Sequence, residues 1–185
     1  MTRPKETLHD LKVLVQMAAK NLKLEFPFHG LTMGMIRVDA KPPRMKTKAA
    51  ETRRLLPCVV WLFQNMLVAE DDTELIVVQM LTRLNNCYEA MYAWRDGGGF
   101  DSKTKFVHHG KRFLLKYAEL SGEVFWRLYP KFHLLHHILD RVPYCGNPSE
   151  FWCYRDESEI GLASDMAATV HPLYVHRSLL EKYVL

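Results

Sequence analysis

The sequence lacks the features that define several common protein classes. No stretch approaches the roughly 18 consecutive apolar residues of a transmembrane helix, so we predict no membrane span. The segment MTRPKETLHDLK is polar and charged, and we therefore expect no secretory signal and an intracellular location, nuclear or cytoplasmic. There are only four cysteines. Without an export signal, they are expected to be free thiols rather than disulfides.

Catalytic motifs are equally scarce. The only glycine run, Gly97-Gly98-Gly99, follows no predicted strand and precedes no GK[ST], so it is not a phosphate-binding loop and is instead typical of a helix end. No GxSxG or Ser-His-Asp arrangement is present. The net charge of +4 over 185 residues is too small to predict a nucleic-acid partner by itself.

Helical periodicity dominates what is present. Apolar residues recur at spacings of three and four, and Asp71 with Glu74 is typical of a helix start. The predicted helices cover about 5–20, 47–67, 73–94, 101–120, 131–142, 157–170 and 177–183. The sequence therefore predicts a mainly α protein, a single-domain bundle of long amphipathic helices with at most one short strand or hairpin.

This predicted domain spans residues 1–185 in three parts. Residues 1–40 form an N-terminal helix plus an extended segment, 41–128 form the long-helix bundle, and 129–185 form an irregular helix-loop-helix corner that contains His, Cys and acidic residues. A hydrophobic content of 48% is enough for a core in a chain of this length.

A basic segment precedes the second predicted helix. Its six cations stand against one acid, Glu51, and are Lys41, Arg44, Lys46, Lys48, Arg53 and Arg54. Such a cluster favours binding of phosphate groups of DNA or RNA, or it is the solvated start of a helix.

The helix-loop-helix corner contains candidate metal ligands. His133 and His137 are four residues apart and share a helix face, and Cys145 and Cys153 follow on the returning chain. Together they have the ligand types of a zinc site, although no CxxC is present. The alternative is that Leu134, Leu135 and Ile138 form the core face, with the histidines bonded to nearby polar groups.

An acidic group follows in the same corner. Asp156 and Glu157 favour the positive end of a helix or provide ligands for Mg²⁺ in phosphoryl transfer. Such a site needs further carboxylates from elsewhere in the chain.

Six segments carry a resemblance to a known family. They are LTMGMIR, RMKTKAAETRRLLPCVVWL, KRFLLKYAELS, YPKFHLLHHI, GNPSEFWCYRDESEIG and LLEKY. In this order, over most of residues 30–185, they resemble the C-terminal portion of transposon-type proteins that are repeated in the genomes of dinoflagellates and related protists. Residues 129–161 are also similar to the late region of DDE-type transposases, whose catalytic domain is RNase H-like.

The resemblance implies a role for the acidic group. Glu157, or alternatively Asp156, would take the position of the last catalytic carboxylate, with His133 and His137 near it. An RNase H-like core needs several strands for its first two aspartates, however, and this chain has at most one short strand candidate. We therefore expect no complete nuclease site in this polypeptide by itself. The polypeptide would then be a helical module or part of a longer protein.

Three functions remain open at this point. The first is a transposon-derived helical module that binds nucleic acid. The second is a non-catalytic structural or protein-interaction module, a subunit that binds other proteins. The third is a small zinc-binding protein.

Overall fold

The computed structural model describes residues 4–25, 36–37, 44–45, 49–66, 69, 71–121, 128 and 130–151. The elements are α1 (Pro4–Asn21), β1 (Ile36–Arg37), β2 (Arg44–Met45), α2 (Ala49–Asn65), α3 (Asp72–Ala93), α4 (Gly99–Leu120) and α5 (Pro130–Cys145). A π-helical turn, Trp94–Gly98, joins α3 to α4, and a 3₁₀ turn, Pro148–Glu150, follows α5. The predicted mainly α class is confirmed.

The two strands form one short antiparallel hairpin, in which Ile36 pairs with Met45. The chain divides into two units, Met1–Glu150 and Phe151–Leu185, and the elements above belong to the first. The helices predicted over 157–170 and 177–183 lie outside the described residues, and the single domain over residues 1–185 stays a prediction. None of the helices in the described part of the chain is long and apolar enough to cross a membrane.

α3 and α4 form the central helical hairpin. Asp71 caps α3 as predicted, because its side chain accepts a hydrogen bond of 2.7 Å from the Glu74 backbone N–H. At the other end the chain kinks between α3 and α4, where Asp96 and Gly97 leave the helical conformation and Gly97 has a φ of +100°. Here α4 begins at Gly99, two residues before the predicted start, because the glycines form the turn itself rather than a longer loop.

Two apolar clusters hold the helices together. The first joins α1 to α2 through residues that recur at helical spacing: Val15, Ala18, Ala19, Leu55, Cys58 and Leu62. The second joins α3 and α4 to α5 through Met80, Phe113, Tyr117 and Leu120, with Phe132 and Leu135 packed against them. Tyr117 and Phe132 are stacked, with ring centroids 3.7 Å apart.

The expected core face of α5 is wrong in two of its three residues. Leu134 is 59% exposed and Ile138 is 38% exposed, whereas Leu139 and Val142 are each 1% exposed. Burial of Phe132, Leu135, Leu139 and Val142 follows a 3-4-3 spacing, which is one face of an α-helix. Compared with the expected orientation, α5 is therefore rotated about its own axis, so that Leu139 and Val142 face the core and Leu134 and Ile138 do not.

The expected end of α5 at Pro143 is also wrong. The helix includes Pro143 and ends at Cys145, because a proline in the last turn removes only one of its hydrogen bonds. Gly146 follows with a φ of +79° and donates its N–H to the Val142 carbonyl at 3.3 Å. A left-handed glycine of this kind is the usual helix terminator.

Candidate functional site

Only part of the predicted basic segment lies within the described residues. Lys41, Lys46 and Lys48 lie outside them, and Arg44 lies in β2. Arg53 and Arg54 lie in the first turns of α2.

The two arginines of α2 differ in their surroundings. Arg54 is exposed, whereas the Arg53 guanidinium lies 5.1 Å from the centroid of the Tyr92 ring of α3. This cation–π contact holds the start of α2 beside the end of α3. Nucleic-acid binding by the segment stays a prediction.

A second basic surface, absent from the sequence prediction, lies on α3 and α4. We define the α3–α4 basic face as Arg83, Lys105, His108 and Arg112. Between them lies His109, whose pKa is lowered first by burial and then by the nearby charges of His108, Arg83 and Lys105, against an opposing effect of Glu89. Positions 105, 108, 109 and 112 lie on one side of α4, because they are three and four residues apart. The charge of Arg83 on α3 also acts on His109 from that side.

The composition of α4 explains this surface. The helix carries five cationic residues, Lys103, Lys105, Lys111, Arg112 and Lys116, against two acidic ones, Asp101 and Glu119. The buried side of the helix is almost entirely apolar, so the charges occupy the solvent side. In the sequence, this surface corresponds to the run KTKFVHHGKR. Its basic residues are interrupted by other residue types and therefore do not form a continuous basic block.

Most of the α4 lysines take part in exposed ion pairs. Lys105 pairs with Asp101 at 2.6 Å, and Lys116 pairs with Glu119 at 2.8 Å. Lys111 reaches across to Asp140 of α5 at 3.2 Å. Exposed pairs contribute about 0–1 kcal/mol each, so these lysines can exchange a carboxylate for a phosphate at small cost.

A groove of about 400 Å³ runs between α4 and α5. Val107, Leu139 and Val142 contribute apolar lining. Lys103 and Lys111 contribute positive charge, with Asp140 as the acidic residue. Phe100, which also lines the groove, is 81% exposed. An apolar surface with cationic side chains and an exposed aromatic ring matches the chemistry of a stacked base and its phosphate.

The predicted metal ligands are only partly brought together. The Nε2 atoms of His133 and His137 lie 2.9 Å apart on the exposed side of α5. Cys145 lies eight residues beyond His137 on the same helix, which places it roughly 12 Å away along the axis. Cys153 lies outside the described residues.

The neighbouring histidine has a different partner. His136 Nδ1 lies 3.3 Å from Asp140 Oδ2, the carboxylate that also pairs with Lys111. Within the described ranges, no three His, Cys, Asp or Glu side chains are grouped as a metal ion would require. The four-ligand zinc site therefore stays a prediction.

The predicted catalytic carboxylates cannot be placed. Asp156 and Glu157 both lie outside the described residues, so the Mg²⁺ site also stays a prediction. Comparisons of the chain with protein-family models, curated proteins and solved structures found no significant match.

Proposed function

We propose that this protein is a helical nucleic-acid-binding module of the kind that transposon-type proteins carry, without a complete nuclease site of its own. The observation that carries the proposal is the α3–α4 basic face, where Lys105, His108 and Arg112 lie on one side of α4 at helical spacing. Phosphate binding by lysine and arginine releases counterions and provides most of the affinity of such proteins.

The face has free capacity for phosphate. Arg112 has no ion-pair partner among the residues that the structure describes, and it lies three residues, or about one helical turn, beyond His109. Within the part of the chain that the structure describes, the one ion pair of Lys105 is its exposed pair with Asp101. A nucleic-acid backbone across this face would therefore meet Arg112, which has no ion pair among the described residues, and Lys105, whose ion pair is easily released.

The neighbouring groove extends the surface to bases. Phe100 is 81% exposed and lines the groove together with Lys103 and Lys111. A base stacked on an aromatic ring contributes about 1–3 kcal/mol. Duplex DNA does not offer its base faces for stacking. Single-stranded nucleic acid is therefore the ligand that uses both the groove and the basic face.

Charge reversal tests the proposal. We expect Lys105→Glu/Arg112→Glu to weaken binding of a fluorescent oligonucleotide by about tenfold or more, and to reduce the slope of log affinity against log salt by about two, one for each lost phosphate contact. Fluorescence anisotropy over a salt series measures both quantities. The matched control is Lys20→Glu/Lys23→Glu, the same charge change at two exposed positions, one in the last turn of α1 and one just after it.

Comparison of the two double variants decides whether the α3–α4 basic face binds nucleic acid specifically. Equal losses in the two double variants would mean that only net charge matters, and no loss in the α4 variant would overturn the proposal. Phe100→Ala separates the two kinds of ligand, because it should weaken single strands more than duplexes. Mg²⁺-dependent cleavage of the oligonucleotide, lost in Glu157→Gln, would reveal a nuclease and contradict the non-catalytic part of the proposal.

A protein-interaction role is the second candidate, and the exposed apolar side chains of α5 favour it. Leu134 and Ile138 are one turn apart and share the exposed side of the helix. Sedimentation velocity over a concentration series would detect self-association through this side. Loss of that association in Leu134→Asp, with oligonucleotide binding unchanged, would support the second candidate over the first.

A further inference from the structure

His133 and His137 contact each other directly on the exposed side of α5. The rings meet edge to face at 79°, with centroids 4.3 Å apart, and their Nε2 atoms are 2.9 Å apart. At that distance one ring donates a hydrogen bond to the other. Both rings are exposed, and water could satisfy each of them separately.

The spacing is that of a chelate. Nitrogen ligands bind first-row divalent ions at about 2.0–2.1 Å, so a separation of 2.9 Å gives an N–metal–N angle of roughly 90°. A tetrahedral ion needs roughly 109°, which corresponds to about 3.3 Å between the nitrogens. Once the rings turn, the two nitrogens are close enough for adjacent positions of a square-planar or octahedral ion, and nitrogen ligands generally bind Ni²⁺ and Cu²⁺ the most tightly of the first-row divalent ions.

The helix holds both ligands in place. α5 is continuous from Pro130 to Cys145, and positions 133 and 137 are one turn apart on one side of it. The buried Leu139 and Val142 on the opposite side anchor the helix to the core. Because the rings are exposed, they can turn their lone pairs toward one ion while water fills its remaining positions.

We propose that His133 and His137 form a two-histidine site for a divalent transition-metal ion of square-planar or octahedral preference, Ni²⁺ or Cu²⁺, on the surface of α5. The site is independent of nucleic-acid binding. It differs from the four-ligand zinc site in needing neither Cys145 nor Cys153. Imidazole is a good ligand for both ions.

Isothermal titration calorimetry of the full chain with NiCl₂ tests the proposal. Ni²⁺ is the better first probe because it does not oxidise thiols as Cu²⁺ does. We expect one Ni²⁺ to bind the unmodified protein. His133→Ala and His137→Ala should each weaken binding by about tenfold or more, because loss of even a group that only hydrogen-bonds a metal ligand weakens metal binding by that factor. His136→Ala is the matched control, because His136 is an exposed histidine of the same helix that contacts Asp140 instead.

The further variants distinguish the two kinds of site. Cys145→Ser should leave Ni²⁺ affinity unchanged. A loss of Ni²⁺ affinity in this variant would support a cysteine-containing site and overturn this proposal. An unchanged affinity in His133→Ala, or an equal loss in His136→Ala, would overturn it as well. Paramagnetic broadening of the ring signals by Ni²⁺ checks the same point in the unmodified protein: those of His133 and His137 should broaden before that of His136.

Discussion

Gly110 of α4 lies directly against Leu139 of α5. A β-carbon at position 110 would be 2.5 Å from Leu139 Cδ2 and 2.9 Å from Cδ1, and Leu139 is only 1% exposed. Absence of a side chain at Gly110 is what lets this leucine fill the space between the two helices. The contact fixes the position of α5, and with it the groove and the histidine pair.

Gly110→Ala should therefore destabilise the protein. Alanine adds up to about 1 kcal/mol of helix propensity, but overpacking of a filled core costs about 1–3 kcal/mol. We expect a net loss of about 1 kcal/mol in the free energy of unfolding. Urea denaturation followed by circular dichroism measures it.

A double-mutant cycle identifies the cause. In the Leu139→Ala background the clash is absent, so Gly110→Ala should become neutral or stabilising, with a coupling energy in the range found for residues in contact, about 0.5–3 kcal/mol. Additive effects of the two substitutions would show that the glycine matters for another reason.

The cysteines should differ sharply in reactivity. Burial raises the pKa of Cys87 to about 12, and burial also raises that of Cys58, which is fully inaccessible. Cys145 is exposed. Because the thiolate is the nucleophile, titration with Ellman's reagent should show a fast thiol that Cys145→Ser removes and that Cys87→Ser leaves in place.

Stability should fall in mild acid because of His109. Its folded-state pKa lies below the ordinary 6.5, owing first to burial and then to His108, Arg83 and Lys105, with Glu89 opposing. The unfolded chain therefore binds the proton more tightly, so this contribution to stability is present above pH 6.5 and is lost as the pH falls through the folded pKa. Its Nδ1 atom also has no hydrogen-bond partner among the described residues.

Replacement of this histidine checks the direction of the pH dependence of stability. His109→Gln cannot take up a proton, and urea denaturation between neutral and mildly acidic pH should show a smaller loss of stability than in the unmodified protein. An equal loss in both proteins would show that other groups cause the acid sensitivity.

The sequence predicts the helices better than their orientation. Periodicity is sufficient for α1, α3 and α4, and the capping role of Asp71 is visible from residue type alone. For α5 it fails, because its apolar residues form one wide stripe: Leu134 and Ile138 lie at the exposed edge, and Leu139 and Val142 are buried. Gly110 resolves the choice by accepting Leu139, and this contact between two helices has no trace in the spacing of α5.

The candidate site also combines a feature that the sequence predicts with one that only the structure reveals. The i,i+4 spacing of His133 and His137 predicts their proximity, because one helix contains both. By contrast, the α3–α4 basic face combines Arg83 with Lys105, which are 22 residues apart in the sequence. Only the hairpin of the two helices brings them together.

Asn147 connects the end of α5 to α3, and its loss should be costly. The side chain is 2% exposed, its Nδ2 donates to the Met91 carbonyl at 3.0 Å, and its Oδ1 accepts from the Ser149 N–H at 3.0 Å. Asn147→Ala leaves the buried Ser149 N–H without its acceptor, at about 1–3 kcal/mol, while the Met91 carbonyl keeps its bond from the Trp94 N–H. Asn65→Ala is the control, because that amide also donates to a backbone carbonyl, that of Trp61 at 2.8 Å, but in an exposed position. Urea denaturation should show a loss several times larger at Asn147 than at Asn65, and equal losses would mean that burial of the amide is not the reason for its effect.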